Sequence, residues 1–229
     1  SYGRLGDGST TESNVPVISG LTGPAVDVGL GDAQSCAVVE GGTLYCWGYS
    51  GAPGLGDGAS SESYNDDMSS YQPILIDVDG ESVDSVSAGE FHICALTENG
   101  SIFCWGYNDA GLGAGGSGDD ASSIPLQVDL GGPAILISVG KSHSCSLIEN
   151  GSLYCWGAGS SGRLGNGDWE TSPTPSLVQG ISGVTDVSAG HSHTCAVVSN
   201  GSAYCWGLGT SGELGNDDTD GGDGPGEFY

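Results

Sequence analysis

A sixteen-residue stretch with two cysteines occurs four times in this chain, and it restricts the fold more than any other feature. Its clearest copy is SHTCAVVSNGSAYCWG, at 192–207. The related copies read FHICALTENGSIFCWG, SHSCSLIENGSLYCWG and, more loosely, AQSCAVVEGGTLYCWG. The first cysteines of successive copies are 58, 51 and 50 residues apart. A period of this size is typical of propellers and solenoids, in which each repeat is one supersecondary unit.

The centre of each stretch predicts a β-hairpin of defined register. Three residues that end in glycine, such as 199–201, suit a type I turn closed by a G1 bulge, in which glycine has positive φ. This register places Cys195 directly opposite Cys205, with Val197 and Ala203 beside them on one face. Because this face is apolar in every copy, we expect it to be packed in every copy. The predicted hairpins span 34–48, 92–106, 143–157 and 193–207.

The opposed cysteines predict one disulfide in each hairpin, because directly opposed residues bring their Cβ atoms within bridging distance. Each bridge closes a loop of about 11 residues and contributes about 2–3 kcal/mol on the chain-entropy account. Four pairs of buried thiols or metal ligands are the alternatives, although structural zinc sites favour shorter gaps. Paired cysteines indicate an oxidising compartment, so we expect an extracellular or cell-surface location. The expected pairs are Cys36–Cys46, Cys94–Cys104, Cys145–Cys155 and Cys195–Cys205.

A glycine-rich segment follows each hairpin and completes the repeat. It reads SGRLGNG at 161–167 and SGELGND at 211–217. Together with AGHSHTCAV and AYCWG, it resembles the regulator-of-chromosome-condensation repeat family, whose repeats read AGxxHxxAL…G…WGxNxxGQLG. The resemblance covers essentially the whole chain and implies an all-β fold of β-propeller blades, while the cysteine pairs resemble secreted or surface members. It implies structural roles for the AG glycines (Gly89, Gly140, Gly190), the WG tryptophans (Trp47, Trp105, Trp156, Trp206) and the LG leucines (Leu55, Leu112, Leu164, Leu214).

The number of copies leaves the closure of the propeller open. We expect residues 1–229 to form a single array of about four repeats of about 50 residues, with 216–229 as an acidic, flexible tail. The resemblance implies seven blades, and propellers with four blades also exist. Both termini fall inside a repeat, since SYGRLGDGST matches SGRLGNGD. The chain is therefore part of a longer propeller, a four-bladed ring closed by its N-terminal segment, or an open array that joins end to end.

The charge of the chain restricts its partners. Three basic and 29 acidic residues give a formal net charge of −26. Binding to nucleic acid or to an anionic membrane requires Lys and Arg, so neither partner is expected, and chromatin exchange activity is not expected either. The acidity favours solubility or an adaptation to salty surroundings, or else the binding of a cation or a basic partner. There is no apolar run of the length that a transmembrane helix needs.

Three groups of residues are candidate sites. His92, His143 and His193 precede the first cysteines by two residues, but Gln34 breaks the series, so we expect histidines satisfied by backbone hydrogen bonds rather than a metal ring. Asn-Gly-Ser is both a glycosylation acceptor and a good turn, so glycosylation is an alternative to a purely structural role. The acidic tail suits Ca²⁺ or is simply disordered. The residues concerned are Asn99, Asn150 and Asn200 for glycans and Asp218, Asp220 and Asp223 for calcium.

The functional expectation follows from what the repeats contain. The sequence has no G-x-S-x-G elbow, phosphate loop or H-E-x-x-H motif, so we expect neither an enzyme nor a resident cofactor. We expect a structural or interaction protein that binds a protein partner or assembles with itself, as a subunit or segment of an extracellular assembly. The alternatives are an inhibitor-like propeller that binds through variable loops, such as the insertion at 61–71, and an accessory segment of a larger surface enzyme or receptor.

Overall fold

The computed structural model of the chain consists of four antiparallel β-sheets, each of which is one propeller blade. The structure describes residues 2–49, 54–58, 69–108, 110–114 and 120–216. Within these ranges, blades 1 to 3 have four strands each, and blade 4 has three. The expected all-β propeller fold is confirmed.

The strands follow one another in chain order within each blade. A short 3-10 helix, Ser160–Gly162, lies between the third and fourth strands of blade 3. The strands of blade 1 are β1 Ala25–Leu30, β2 Gln34–Val39, β3 Thr43–Gly48 and β4 Ser70–Ile76; those of blade 2 are β5 Val83–Ala88, β6 His92–Thr97, β7 Ile102–Asn108 and β8 Asp120–Val128. Blade 3 consists of β9 Ala134–Val139, β10 His143–Ile148, β11 Leu153–Gly157 and β12 Ser172–Leu177, and blade 4 of β13 Val184–Ala189, β14 His193–Val198 and β15 Ala203–Gly207.

The hairpin register predicted from the three-residue turn is confirmed. In blade 4, Cys195 pairs with Cys205 and Val197 pairs with Ala203. The turn glycine, Gly201, has φ +86°, a conformation that glycine adopts without steric cost. The second and third strands of the other three blades pair in the same register.

The hydrophobic core lies between blades rather than within one of them. The first strands contact one another in series, β1 with β5, β5 with β9 and β9 with β13. Each of the three resulting clusters joins the hairpin face of one blade to the first strand of the next. In the cluster between blades 3 and 4, for example, Leu147 and Leu153 pack together with Val184 and Val187. Each of blades 1 to 3 is therefore stabilised by the blade that follows it.

The expectation of a packed face in every hairpin is wrong for blade 4. Leu147 and Leu153 of blade 3 are 0% and 2% exposed, whereas Val197 is 38% exposed and Ala203 is also exposed. The cause is positional, because no following blade covers this face within the part of the chain that the structure describes. We call the surface formed by Cys195, Val197, Ala203 and Cys205 the tail face.

Candidate functional site

Each hairpin carries one disulfide, which joins its two central strands. The bridges link Cys36 to Cys46, Cys94 to Cys104, Cys145 to Cys155 and Cys195 to Cys205. The six cysteines of blades 1 to 3 are fully buried, and the pair in blade 4 is partly exposed on the tail face. The disulfides therefore sit where one blade packs on the next.

The repeated histidines connect neighbouring blades, and their partners differ from those expected. Nε2 of His92 lies 2.9 Å from Oγ of Ser144, and Nε2 of His143 lies 2.8 Å from Oγ1 of Thr194. The expected backbone partners are wrong, because the side chain reaches across the interface to a hydroxyl of the following blade. Burial lowers the pKa of His92 to about 4 and, with a smaller effect of the Arg163 charge, that of His143 to about 3. Both imidazoles are therefore neutral at ordinary pH.

A loop from one repeat covers the tryptophan of the next blade, and its conformation depends on a glycine. The loop between the third and fourth strands of blade 3 places Gly165 against Trp206, so that a Cβ on this glycine would lie 2.7 Å from the indole Nε1. The indole donates to the backbone oxygen of Arg163, 2.9 Å away, and Leu164 of the same loop is fully buried. The equivalent glycines of the other loops, Gly6, Gly56 and Gly113, lie against Trp47, Trp105 and Trp156.

One end of the propeller differs from blade to blade. We call it the variable end and define it by the loops between the first and second strands of the blades, 31–33, 89–91, 140–142 and 190–192. The residue after the loop glycine is Asp32, Glu90, Lys141 or His191 in successive blades. Lys141 lies 3.3 Å from the carboxylate of Glu90, so two neighbouring loops are joined by an ion pair. The variable end therefore carries side chains that take no part in the packing of one blade on the next.

Arginine and aromatic side chains add to the variable end. Nη1 of Arg4 donates to the backbone oxygen of Asp32, and Nη1 of Arg163 donates to that of His191. These two arginines occupy equivalent loop positions and fix the loops of blades 1 and 4. Phe91 is 45% exposed and Trp169, which follows the loop of Arg163, is 50% exposed.

The hairpin turns lie at the opposite end, which we call the turn end, and carry the three candidate acceptor asparagines. Oδ1 of Asn150 and of Asn200 accepts a hydrogen bond from the backbone N–H two residues later. Asn99 makes the same contact, and its Nδ2 also donates to Oε2 of Glu81 at 2.8 Å. All three asparagines are exposed, so their amides are accessible to modification.

The predicted calcium ligands Asp218, Asp220 and Asp223 lie outside the described residues, as does most of the insertion at 61–71, so both expectations stay predictions. Within the described ranges, no group of three or more His, Cys, Asp or Glu side chains is arranged to hold a metal ion. In that same part of the chain, no helix is long and apolar enough to cross a membrane.

Blades that share one hairpin design and pack in series define a repeat protein of the β-propeller class. The sequence model for the regulator of chromosome condensation (RCC1) repeat matches residues 150–197, and a second model of this repeat matches 83–111, 134–163 and 184–213. The chain belongs to the RCC1 repeat family.

Relatives of the chain are larger proteins that contain similar repeats. The human E3 ubiquitin-protein ligase HERC2 is 33% identical over 189 residues, which is 79% of this chain and 4% of HERC2. The ultraviolet-B receptor UVR8 of Arabidopsis thaliana is 32% identical over 184 residues, which is 79% of this chain and 40% of UVR8. This chain thus spans less than half of either relative.

Solved structures show the same fold. Yeast RCC1 (Prp20), solved with Kap60 bound to it, superposes with a TM-score of 0.72 at 24% identity, over 88% of this chain and 47% of that one. Human WBSCR16 superposes with a TM-score of 0.70 at 19% identity, over 82% of this chain and 50% of that one. The four blades therefore correspond to about half of each of these chains.

The hydroxyl groups opposite the histidines are the interface residues that the sequence interpretation missed. A signal for them exists, because Ser35, Ser144 and Thr194 each stand directly before a first cysteine. The second copy has Ile93 at this position, opposite Gln34 rather than a histidine. A hydroxyl thus follows in the next blade where a blade has the histidine, and Ile93 follows where blade 1 has Gln34.

Proposed function

We propose that this chain is a non-enzymatic interaction module of an oxidising compartment, secreted or on the cell surface, and that it binds protein partners through the variable end. The observation that carries the proposal is the division of the repeat into a constant and a variable part. Hairpins and interblade contacts recur, while the loop position of Asp32 carries Glu90, Lys141 and His191 in the other blades. Binding residues favour loops of this kind, held on a rigid scaffold.

The fold suits protein partners. Yeast RCC1 (Prp20) was solved bound to Kap60, and Prp20p was studied for its binding to Gsp1p and histones. The acidity of the present chain, −26, favours a partner with a basic surface. Exposed Phe91 and Trp169 supply apolar contact area beside the charged loops.

The four disulfides support the proposed location in an oxidising compartment. Four bridges in one small domain are typical of proteins that fold in oxidising surroundings, because cytosolic thiol systems keep cysteines reduced. The test is to alkylate thiols in intact source cells before lysis and then to map the cysteines by mass spectrometry. Four intrahairpin bridges are expected, whereas eight alkylated cysteines would contradict the proposed location.

The binding surface is tested with paired variants of the purified chain. Phe91→Ala with His191→Ala changes the variable end, and Glu98→Ala with Glu149→Ala changes two side chains at the turn end that are likewise exposed. A partner captured from the extracellular fraction should lose binding to the first variant and keep binding to the second. Equal capture by both variants would show that the variable end is not the binding surface.

Glycosylation at the turn end is compatible with this function, because glycans there leave the variable end free. We expect Asn150 and Asn200 to be modified more fully than Asn99, whose amide nitrogen is held by Glu81. Secretion from a eukaryotic host followed by glycopeptide mapping measures the occupancy. Full occupancy of Asn99 with none at the other two sites would contradict this order.

A further inference from the structure

Residues 13–20 carry the features of a fourth strand but belong to no sheet. In blades 1 to 3 the first half of the fourth strand contains a serine whose Oγ donates to the backbone oxygen two residues later, and proline follows that residue. Ser13 makes the same contact to the oxygen of Val15 at 2.6 Å, and Pro16 follows. Val15 and Ile18 are 63% and 90% exposed. The matching serine–proline pairs are Ser70 and Pro73, Ser122 and Pro125, and Ser172 and Pro175.

The loop contacts give the same alignment. The N–H of Gly20 donates to the oxygen of Gly6 at 2.8 Å, and the N–H of Gln179, just after β12, donates to the oxygen of Gly165 at 2.9 Å. Since Gly6 and Gly165 are the equivalent glycines that lie against tryptophans, 13–20 corresponds to β12. This segment therefore has the sequence and local conformation of an outer strand.

Within residues 120–216, which the structure describes, blade 4 has no strand equivalent to 13–20. Its sheet ends at β15, whereas the equivalent third strands pair with β4, β8 and β12. Within one chain the two elements lie at opposite ends of the row of blades. Gly8 and Arg4 hold the N-terminal segment on blade 1 through backbone bonds to Tyr71 and the indole of Trp47. The three strands of blade 4 and residues 13–20 together supply the four strands of one blade.

The surfaces beside these two elements also match. Val28 and Leu30 on β1 are 60% and 68% exposed, and we call their surface the head face. The residue equivalent to Val28 in blades 2 and 4, Val86 and Val187, is 5% exposed because it packs on the preceding hairpin. The tail face has the same cysteine pair and apolar character as the hairpin faces that receive these side chains, with smaller side chains at Val197 and Ala203. Head and tail faces are therefore the two halves of one interblade contact.

A polar pair would complete this contact. Ser35 occupies the position of Ser144 and Thr194, and its Oγ donates to the oxygen of Arg4 just as Thr194 Oγ1 donates to that of Arg163. In the part of the chain that the structure describes, the hydroxyl lone pairs of Ser35 face no histidine, and His193 faces no hydroxyl of a following blade. By analogy with His143 and Thr194, a ring N–H of His193 in one copy would donate to Oγ of Ser35 in another copy.

We propose that the tail face binds the head face of a second copy of this chain, with residues 13–20 of that copy added to β15 as the fourth strand and His193 bonded to its Ser35. This proposal goes beyond the proposed function, because the contact uses the head and tail faces rather than the variable end. The loop after blade 4 stays free in this arrangement, because Trp47 of the second copy is covered by its own Gly6. A Cβ placed on Gly215 of that loop would meet no atom within 4 Å.

The register of the internal blades fixes a cross-linking test. Tyr154 pairs with Leu177 and Tyr45 with Leu75, which places Tyr204 opposite Ile18 of the second copy. Ile18→Cys and Tyr204→Cys chains, mixed and mildly oxidised, should give a disulfide-linked dimer that peptide mapping assigns to the two introduced thiols. Ser19→Cys in place of Ile18→Cys is the matched control, since its side chain points to the other face of the strand.

Two outcomes overturn the proposal. One is the absence of a cross-link above the level of the Ser19→Cys control. The other is a bridge within a single chain when both substitutions are placed in one molecule, which would show closure of the chain on itself. Neither outcome affects binding through the variable end, so the proposed function is judged separately by its loop variants.

Sedimentation of the unmodified chain supplies an independent measurement. Association should strengthen as salt rises, because each copy carries −26 and screening weakens their repulsion. Ser19→Pro removes the N–H equivalent to that of Val178, which donates to the oxygen of Leu153 at 2.9 Å. This variant should bind about tenfold more weakly, while Ser19→Ala should bind like the parent. A chain that stays monomeric at every salt and protein concentration would overturn the proposal.

Discussion

Nε2 of His143 lies 2.8 Å from Oγ1 of Thr194, across the interface between blades 3 and 4. The threonine hydroxyl donates to the backbone oxygen of Arg163, so it accepts its other hydrogen bond from the histidine. This order fixes the proton of the imidazole on Nε2. Both side chains are fully buried. The contact is therefore a buried polar link between blades 3 and 4.

Thr194→Val should destabilise the chain by about 1–3 kcal/mol, because it removes the acceptor of a buried N–H without changing the volume. Thr194→Ser is the control and should stay within about 1 kcal/mol of the parent, since it keeps the hydroxyl. Urea unfolding of the oxidised proteins measures both values. Equal stabilities of the valine and serine variants would show that the hydrogen bond contributes little.

The buried histidines predict a loss of stability in acid. Their pKa values fall to about 4 for His92 and about 3 for His143, below the unfolded value near 6.5. Between these pKa values the unfolded chain binds protons that the folded chain does not. The contribution of the neutral histidines to the free energy of unfolding is therefore complete above about pH 6.5 and decreases as the pH falls towards 4. Each histidine contributes a slope of up to about 1.4 kcal/mol per pH unit.

The matched variant is His92→Gln with His143→Gln, which places at both sites the residue found in blade 1, Gln34. It removes the two titrations and leaves the carboxylates of the chain unchanged. As the pH falls from 7 to 4.5, the unfolding free energy of the parent should decrease by more than that of this variant. A constant difference would contradict the assignment of the acid sensitivity to these histidines.

The disulfides should be reduced in a defined order. Cys195 and Cys205 are partly exposed on the tail face, whereas the other six cysteines are fully buried. Reductant should therefore reach the bridge in blade 4 first under native conditions. Timed alkylation and mass spectrometry should show two labelled thiols, at these positions, before any others. Labelling of Cys145 and Cys155 at the same rate would contradict this order.

The sequence predicted the parts of the fold that depend on neighbours within one repeat. Turn length and the positive φ of Gly201 fix which residues face each other, so Cys195 and Cys205 could be paired without a structure. The partner of His143 could not be predicted in the same way, because Thr194 is 51 residues away and belongs to the next blade. The exposure of Val197 was missed for the same reason, since the hairpin pattern does not say whether another blade covers it.

The glycine that covers each tryptophan gives the most controlled test of packing between repeats. Gly165 and Gly215 are equivalent loop positions with φ +66° and +67°, so alanine is equally strained at both. At Gly165 the new Cβ would also lie 2.7 Å from Nε1 of Trp206, whereas at Gly215 it would meet nothing within 4 Å. Gly165→Ala should therefore cost about 1–3 kcal/mol more than Gly215→Ala in urea unfolding, with a matching change in tryptophan fluorescence. Equal costs at the two sites would mean that the backbone conformation alone, and not the contact with the next blade, requires glycine in this loop.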